Sequence, residues 1–189
     1  LADPRLRVRL ADARSALLLS EERYDAIVSQ PSHPWGAGAS HLYTREFFLL
    51  ARDRLAIDGV FVQWIGLGFV DEALLRSLLA TLHSVFPNVR AHRPGLGGVL
   101  LLASAAPLDV EGGANRAIAL APGEFAAVGI VCAEDLAAAL AADESGTRAL
   151  AEGAALSTDD DNVLATRSPK VLAAFLPTLV PSIANCACA

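Results

Sequence analysis

The side chains best suited to chemistry gather in a few short stretches of this chain. Asp12-Ala13-Arg14 places a carboxylate directly ahead of a short helical pattern, where it can cap free N–H groups or accept from a ligand. The loop Gln30-Pro31-Ser32-His33-Pro34-Trp35-Gly36-Ala37-Gly38 carries an imidazole, the group most often used as a general base near neutral pH. The same histidine is equally suited to bonding its own loop backbone. Tyr43 offers a phenol and Gln63 an amide, and each also fits a purely packing role. Asp159-Asp160-Asp161 reads either as a solvated turn or as a cover for a cationic ligand. No His, Cys, Asp or Glu grouping has the spacing of a metal site.

Positioning these groups requires elements, and the first two thirds of the chain alternate short apolar runs with helical periodicity, the pattern of βαβ units. Residues 6–10 read as a strand ending at Asp12, followed by a short helix over 13–19 and a second, Ile/Val-rich strand over 24–29. The loop that holds His33 then lies at the carboxyl end of a central strand, where open α/β sheets place ligands. Thr44 is the expected N-cap of a helix over 45–55, and Asp58-Gly59 the turn that ends it. A third strand over 60–65 puts Gln63 and Trp64 at the same end of the sheet. A Leu-rich helix over 71–86 and a hairpin of strands over 89–92 and 98–103 complete this part. Beyond Pro107 the chain turns Ala-rich. Helices over 133–142, 147–152 and 170–176 are expected there, giving a Rossmann-like part over 1–106 and a mostly helical extension over 107–189.

Composition excludes several classes. Of 189 residues, 53% are hydrophobic and 19% charged, which does not suit a disordered tail. The net charge of −6 gives no electrostatic reason to expect nucleic-acid binding or a polybasic membrane patch, and it favours small or cationic partners. The uncharged stretch over 171–189 is interrupted by Pro177 and Pro181, so a docked helix and tail is expected there in preference to a membrane span. Cys132 stands apart, and Cys186 with Cys188 forms a C-x-C; they read as unpaired thiols of a reducing compartment. The chain contains no Met and does not begin with one, which suggests a portion of a longer protein.

Taken in order, the "D-P-R" lead, the "D-A-R" strand end, "Y-D-A-I-V", the Pro-containing loop, "L-Y-T-R-E-F-F" and "G-V-F-V-Q" resemble the spermidine synthase family of aminopropyltransferases. The likeness is closest to its long bacterial members fused to membrane segments, where a "T-D-D" segment like Thr158-Asp159-Asp160 also occurs. The resemblance implies an α/β fold: a partial Rossmann-like sheet of the class I S-adenosylmethionine-dependent methyltransferase type with flanking helices. It would lack the N-terminal cofactor-binding strands, so that the sheet is incomplete or residues 6–10 pair beside residues 24–29.

The resemblance also implies roles. Asp12, with Ala13, would sit at the adenine of decarboxylated S-adenosylmethionine or S-adenosylmethionine. Gln30 and His33 stand where family members carry two aspartates, leaving His33 as the base for an attacking amine. Tyr43, Gln63, Asp159 and Asp160 would be substrate contacts. The expected partner is a small cationic amine, the expected assembly a homodimer, and the expected setting the cytoplasm, alone or joined to an N-terminal membrane domain. This chain alone would bind the adenosyl ligand weakly. The rival readings are a methyltransferase relative using S-adenosylmethionine and a non-catalytic structural or interaction domain.

Overall fold

A computed structural model describes residues 3–167, apart from residues 32, 33, 35–37 and 96. The expected helix over 170–176, the apolar stretch over 171–189 and His33 lie outside the described residues.

The fold is organised by a strand whose side chains alternate. Strand β2 (Leu55–Gly66) follows α1 (Ala13–Leu19), β1 (Tyr24–Ser29), a 3-10 turn (Ala39–Tyr43) and α2 (Arg45–Arg54). Phe61, Gln63 and Ile65 are fully buried on one face of β2, whereas Val60, Val62 and Trp64 on the other are half-buried. The buried row meets α2 through Phe47 and Phe48 and meets α3 (Glu72–His83) through a Leu74, Leu78, Leu82 stripe at helical spacing. Phe61 and Phe86 stack with centroids 5.9 Å apart, and Phe48 tilts against Phe61 at 5.4 Å. Local signals agree with this packing. Asp71 caps α3 by accepting from the Leu74 N–H at 2.8 Å, and Glu46 begins α2 while Arg52 and Arg54 end it, complementing the helix dipole.

The sheet has five strands in the order β1-β2-β4-β3-β5, with β3 at Asn88–Gly95, β4 at Gly98–Ser104 and β5 at Leu140–Ala142. β1 runs parallel to β2, and every other pairing is antiparallel. This mixed, helix-flanked sheet is Rossmann-like, as the motifs imply, and β3 and β4 form the expected antiparallel hairpin, although both are inner strands, with β2 beside β4 and β5 beside β3. Its remaining elements are α4 (Val110–Leu120), α5 (Pro122–Ala126), α6 (Ala133–Ala137), α7 (Glu144–Ala151) and α8 (Val163–Arg167). Val89 and Ala91 of β3 join the core, while Arg90 turns to the opposite face and pairs with Glu111 of α4 at 3.0 Å. No helix among the described residues is long and apolar enough to cross a membrane.

Several expectations are corrected. Residues 6–10 form no strand; Leu6, Val8 and Leu10 are exposed, because an apolar run gains nothing from extended geometry without a neighbour to pair with. Among the described residues β1 therefore has one neighbour, β2, and the sheet stops there. Asp58-Gly59 is not a turn but lies within β2, at a register shift where Tyr24 opposes Leu55 and Ala26 opposes Val60. A Cβ on Gly59 would come within 2.9 Å of the Tyr24 carbonyl, so only glycine fits that bulge. The expected helix over 133–142 divides into α6 and β5, the latter drawn into extended form by pairing with β3. Cys132 is disulfide-bonded rather than an unpaired thiol.

The inward row of β2 should dominate stability. Phe61→Ala should cost about 3–5 kcal/mol in urea denaturation, while Val28→Thr, at a 66% exposed edge position, should change it by no more than about 0.5 kcal/mol.

Candidate active site

Parallel strands β1 and β2 end side by side, and the chain leaves β1 through Gln30 and Pro31. There the Asp12 turn and the 3-10 turn after Gly38 enclose a cleft of about 460 Å³, lined by residues that include Asp12, Ala13, Arg14, Pro31, Gly38 and His41. Gly38 enters the 3-10 turn with φ of 81°, left-handed geometry that favours glycine. Asp12 caps α1, its Oδ1 accepting from the Ser15 N–H at 2.7 Å, and hydrogen bonds from Ser15 hold its carboxyl below the usual range. The carboxylate is exposed and stays ionised in the cleft.

Beside the cleft lies a charge cluster whose partners come from four segments. Arg14 donates to both carboxylate oxygens of Asp159, at 2.8 and 2.6 Å. The Thr44 hydroxyl donates to Asp159 Oδ1 at 2.7 Å, and the His41 ring lies 3.5 Å from the same oxygen. The Asp159 N–H in turn donates to the Glu46 carboxylate at 2.9 Å. Arg14 and Thr44 pull the Asp159 carboxyl down to about 2, against partial burial. Thr44 thus occupies the N-cap position of α2 without capping it through its side chain, since its hydroxyl is spent on Asp159.

The structure brings Asp12, Ala13 and Asp159 into one neighbourhood and leaves other candidates elsewhere. Gln30 is exposed at the mouth of β1, next to Pro31, and Asp160 is exposed beside Asp159. Tyr43 is fully buried in the core, where desolvation pushes its phenol up, and its hydroxyl has no partner among the described residues. Gln63 is also fully buried; its Nε2 donates to the carbonyls of Ser29 and Trp64 at 3.3 and 3.0 Å, tying the end of β1 to β2. Neither side chain lines the cleft. No group of metal-ligating residues occurs among the described residues. Arg14, His41 and Glu46 were without assigned roles in the sequence. Arg14 and Asp159 are 145 positions apart, and the only sequence signal is an unexplained cation next to Asp12 matched by a distant acidic run.

Residues 1–93 match the family model for the spermine/spermidine synthase domain. A polyamine aminopropyltransferase of Synechococcus sp. (strain JA-3-3Ab) is 39% identical over 110 residues, covering 56% of this chain and 35% of that protein. A polyamine aminopropyltransferase of Nitrosomonas europaea is 34% identical over 90 residues, covering 48% of this chain and 27% of that protein. The chain thus spans about a third of the length of these curated relatives. A solved structure, a probable spermidine synthase from Corynebacterium glutamicum, superposes with a TM-score of 0.56 at 27% identity, covering 82% of this chain and 55% of that one.

The Asp159 cluster carries a pH signature. Its folded-state carboxyl lies at about 2 against an ordinary 3.8, so its contribution to stability is complete above the ordinary value and is lost as pH falls toward about 2. Urea denaturation should show Asp159→Asn destabilised most at about pH 6, with the deficit shrinking toward about pH 2; a deficit constant over that range would mean that the ionised carboxylate contributes nothing.

Proposed function

Because the chain is a member of the spermine/spermidine synthase family, matched through residues 1–93, we propose that the whole protein transfers an aminopropyl group from decarboxylated S-adenosylmethionine to a small amine. The observation that carries this reading is the cleft between the Asp12 turn and the loop after β1, with an ionised carboxylate on one wall and Pro31 of the candidate base loop on the other.

In this reading Asp12 accepts from the exocyclic amine of the adenine, and the backbone at Ala13 packs against the ring. The amine nitrogen attacks the methylene attached to the sulfonium, forming a C–N bond. The C–S electrons return to sulfur, and methylthioadenosine departs. The nitrogen must shed a proton to attack, since alkylammonium groups titrate near ~10. His33 takes that proton, and Gln30 offers an amide dipole to the nitrogen at the mouth of the cleft. Gln63 and Tyr43 are fully buried and do not line the cleft, so in this reading neither touches the amine.

Incubating the full-length protein with each adenosyl donor and a panel of amines, and weighing the products, tests the reading. An aminopropylated amine is expected; a methylated amine would establish the methyltransferase alternative that Gln30 and His33 leave open, and no product with either donor would favour a non-catalytic role. Asp12→Asn should raise the donor Kd about tenfold or more, the scale of a hydrogen bond to a charged group. His33→Ala should lower kcat by about 10²–10⁴.

A further inference from the structure

We infer that Asp159 is a positioning residue for the nucleoside end of the cleft, holding Asp12 in place through Arg14; this rests on the function proposed above for that cleft. The reason begins with α1. It is seven residues long and buries none of them fully, and a helix so short has little stability of its own. Leu17 rests against the core, and an arginine holds each end of the helix. At its carboxyl end Arg54 of α2 donates to the carbonyls of Leu17 and Leu18 at 3.2 and 3.0 Å. At its amino end the anchor is the two-pronged pair of Arg14 with Asp159, two residues from Asp12.

Asp159 can serve as an anchor because its own segment is rooted in the core. The Ser77 hydroxyl of α3 donates to the Ala155 carbonyl at 2.7 Å, and the Ser157 N–H donates to the fully buried Thr81 hydroxyl oxygen at 2.9 Å. The Ser157 carbonyl then accepts from the Arg45 N–H at 2.9 Å, and the Asp159 N–H reaches Glu46. A continuous run of hydrogen bonds therefore leads from the middle of α3, past the start of α2, to the guanidinium beside Asp12. Both Asp159 oxygens are occupied within it, so this carboxylate is not free to cover a cationic ligand. A planar guanidinium fork fixes direction as well as distance, which an isolated ammonium would not.

A double-mutant cycle on the full-length protein tests the inference, with 5′-methylthioadenosine as the probe and calorimetry as the readout. Asp12→Asn and Asp159→Asn should each weaken binding roughly tenfold, and the double variant should bind no more weakly than Asp12→Asn, because Asp159 acts through Asp12. Additive losses, or unaltered affinity in Asp159→Asn, would overturn it. Arg14→Gln severs the same pair from the other side and should match Asp159→Asn; it replaces that variant if the latter does not fold. Should the unaltered protein not bind the probe, the functional reading fails and the inference is judged on hydrogen exchange without ligand. Asp159→Asn should then speed exchange across α1 and leave α3 unchanged, and unchanged protection of α1 would overturn the inference.

Discussion

One face of strand β2 governs the rest of this fold. Phe61, Gln63 and Ile65 point into the layer made by α2 and α3 and are wholly removed from water. Burying two large apolar side chains and an amide in one row fixes the register of β2, since a slip by one residue would turn all three toward the opposite face. The polar member ties that register to β1. Gln63 donates to the Ser29 carbonyl from within the core, so the carboxyl ends of both parallel strands are set together. Pro31, which lines the cleft, follows β1 by two residues, which is how a packing constraint in the middle of the sheet reaches the candidate site.

The second constraint is electrostatic. Asp159 gathers Arg14, Thr44 and the edge of His41 around one carboxylate and offers its N–H to Glu46. An exposed ion pair contributes little. This one is half-buried and two-pronged, and a hydroxyl supports it, which is the setting in which such a pair gains direction. Its value lies less in stability than in geometry, because the two parallel N–H···O bonds fix the direction in which α1 and the Asp159 segment meet.

The sequence was legible where one segment could satisfy itself against the core. The helical spacing of Phe47, Phe48 and Ala51, or of Leu74, Leu78 and Leu82, announces a buried face whatever its partner. The same holds for the hairpin over β3 and β4, whose turn and apolar alternation are local. Where the outcome depended on a neighbour, the signal failed. Residues 6–10 have strand composition and no adjacent strand, while residues 140–142 have helix composition and are strand because β3 offers an edge. Asp58-Gly59 has the composition of a turn, yet it is absorbed into β2 as part of an irregularity opposite Tyr24, where two steps along β1 oppose five along β2. Of the site, Asp12 was visible because its cap and its motif are both local. Arg14 was not, because its meaning is supplied by a carboxylate 145 positions away.

How the acids are employed bears on how a cation would be handled. Arg14 lies 2.6 Å from Asp159 and neutralises most of its field, so Asp12 is the acidic residue that faces the cleft. Opposite charges about 4 Å apart attract by about 1 kcal/mol in water and by about 4 kcal/mol at a surface-like dielectric of about 20. An exposed carboxylate such as Asp12 acts nearer the lower figure. Beyond about 8–10 Å its field is screened by salt, so the overall charge of −6 assists the approach of a cation more than its orientation. A loop bearing Gln30 and His33, where the family resemblance leads one to expect aspartates, moves the balance the same way. It offers a proton acceptor and a dipole in place of fixed negative charge. Under the proposed function, attraction of the ammonium and removal of its proton, which paired aspartates would combine, are assigned to different parts of the molecule: the first to its overall field, the second to one imidazole.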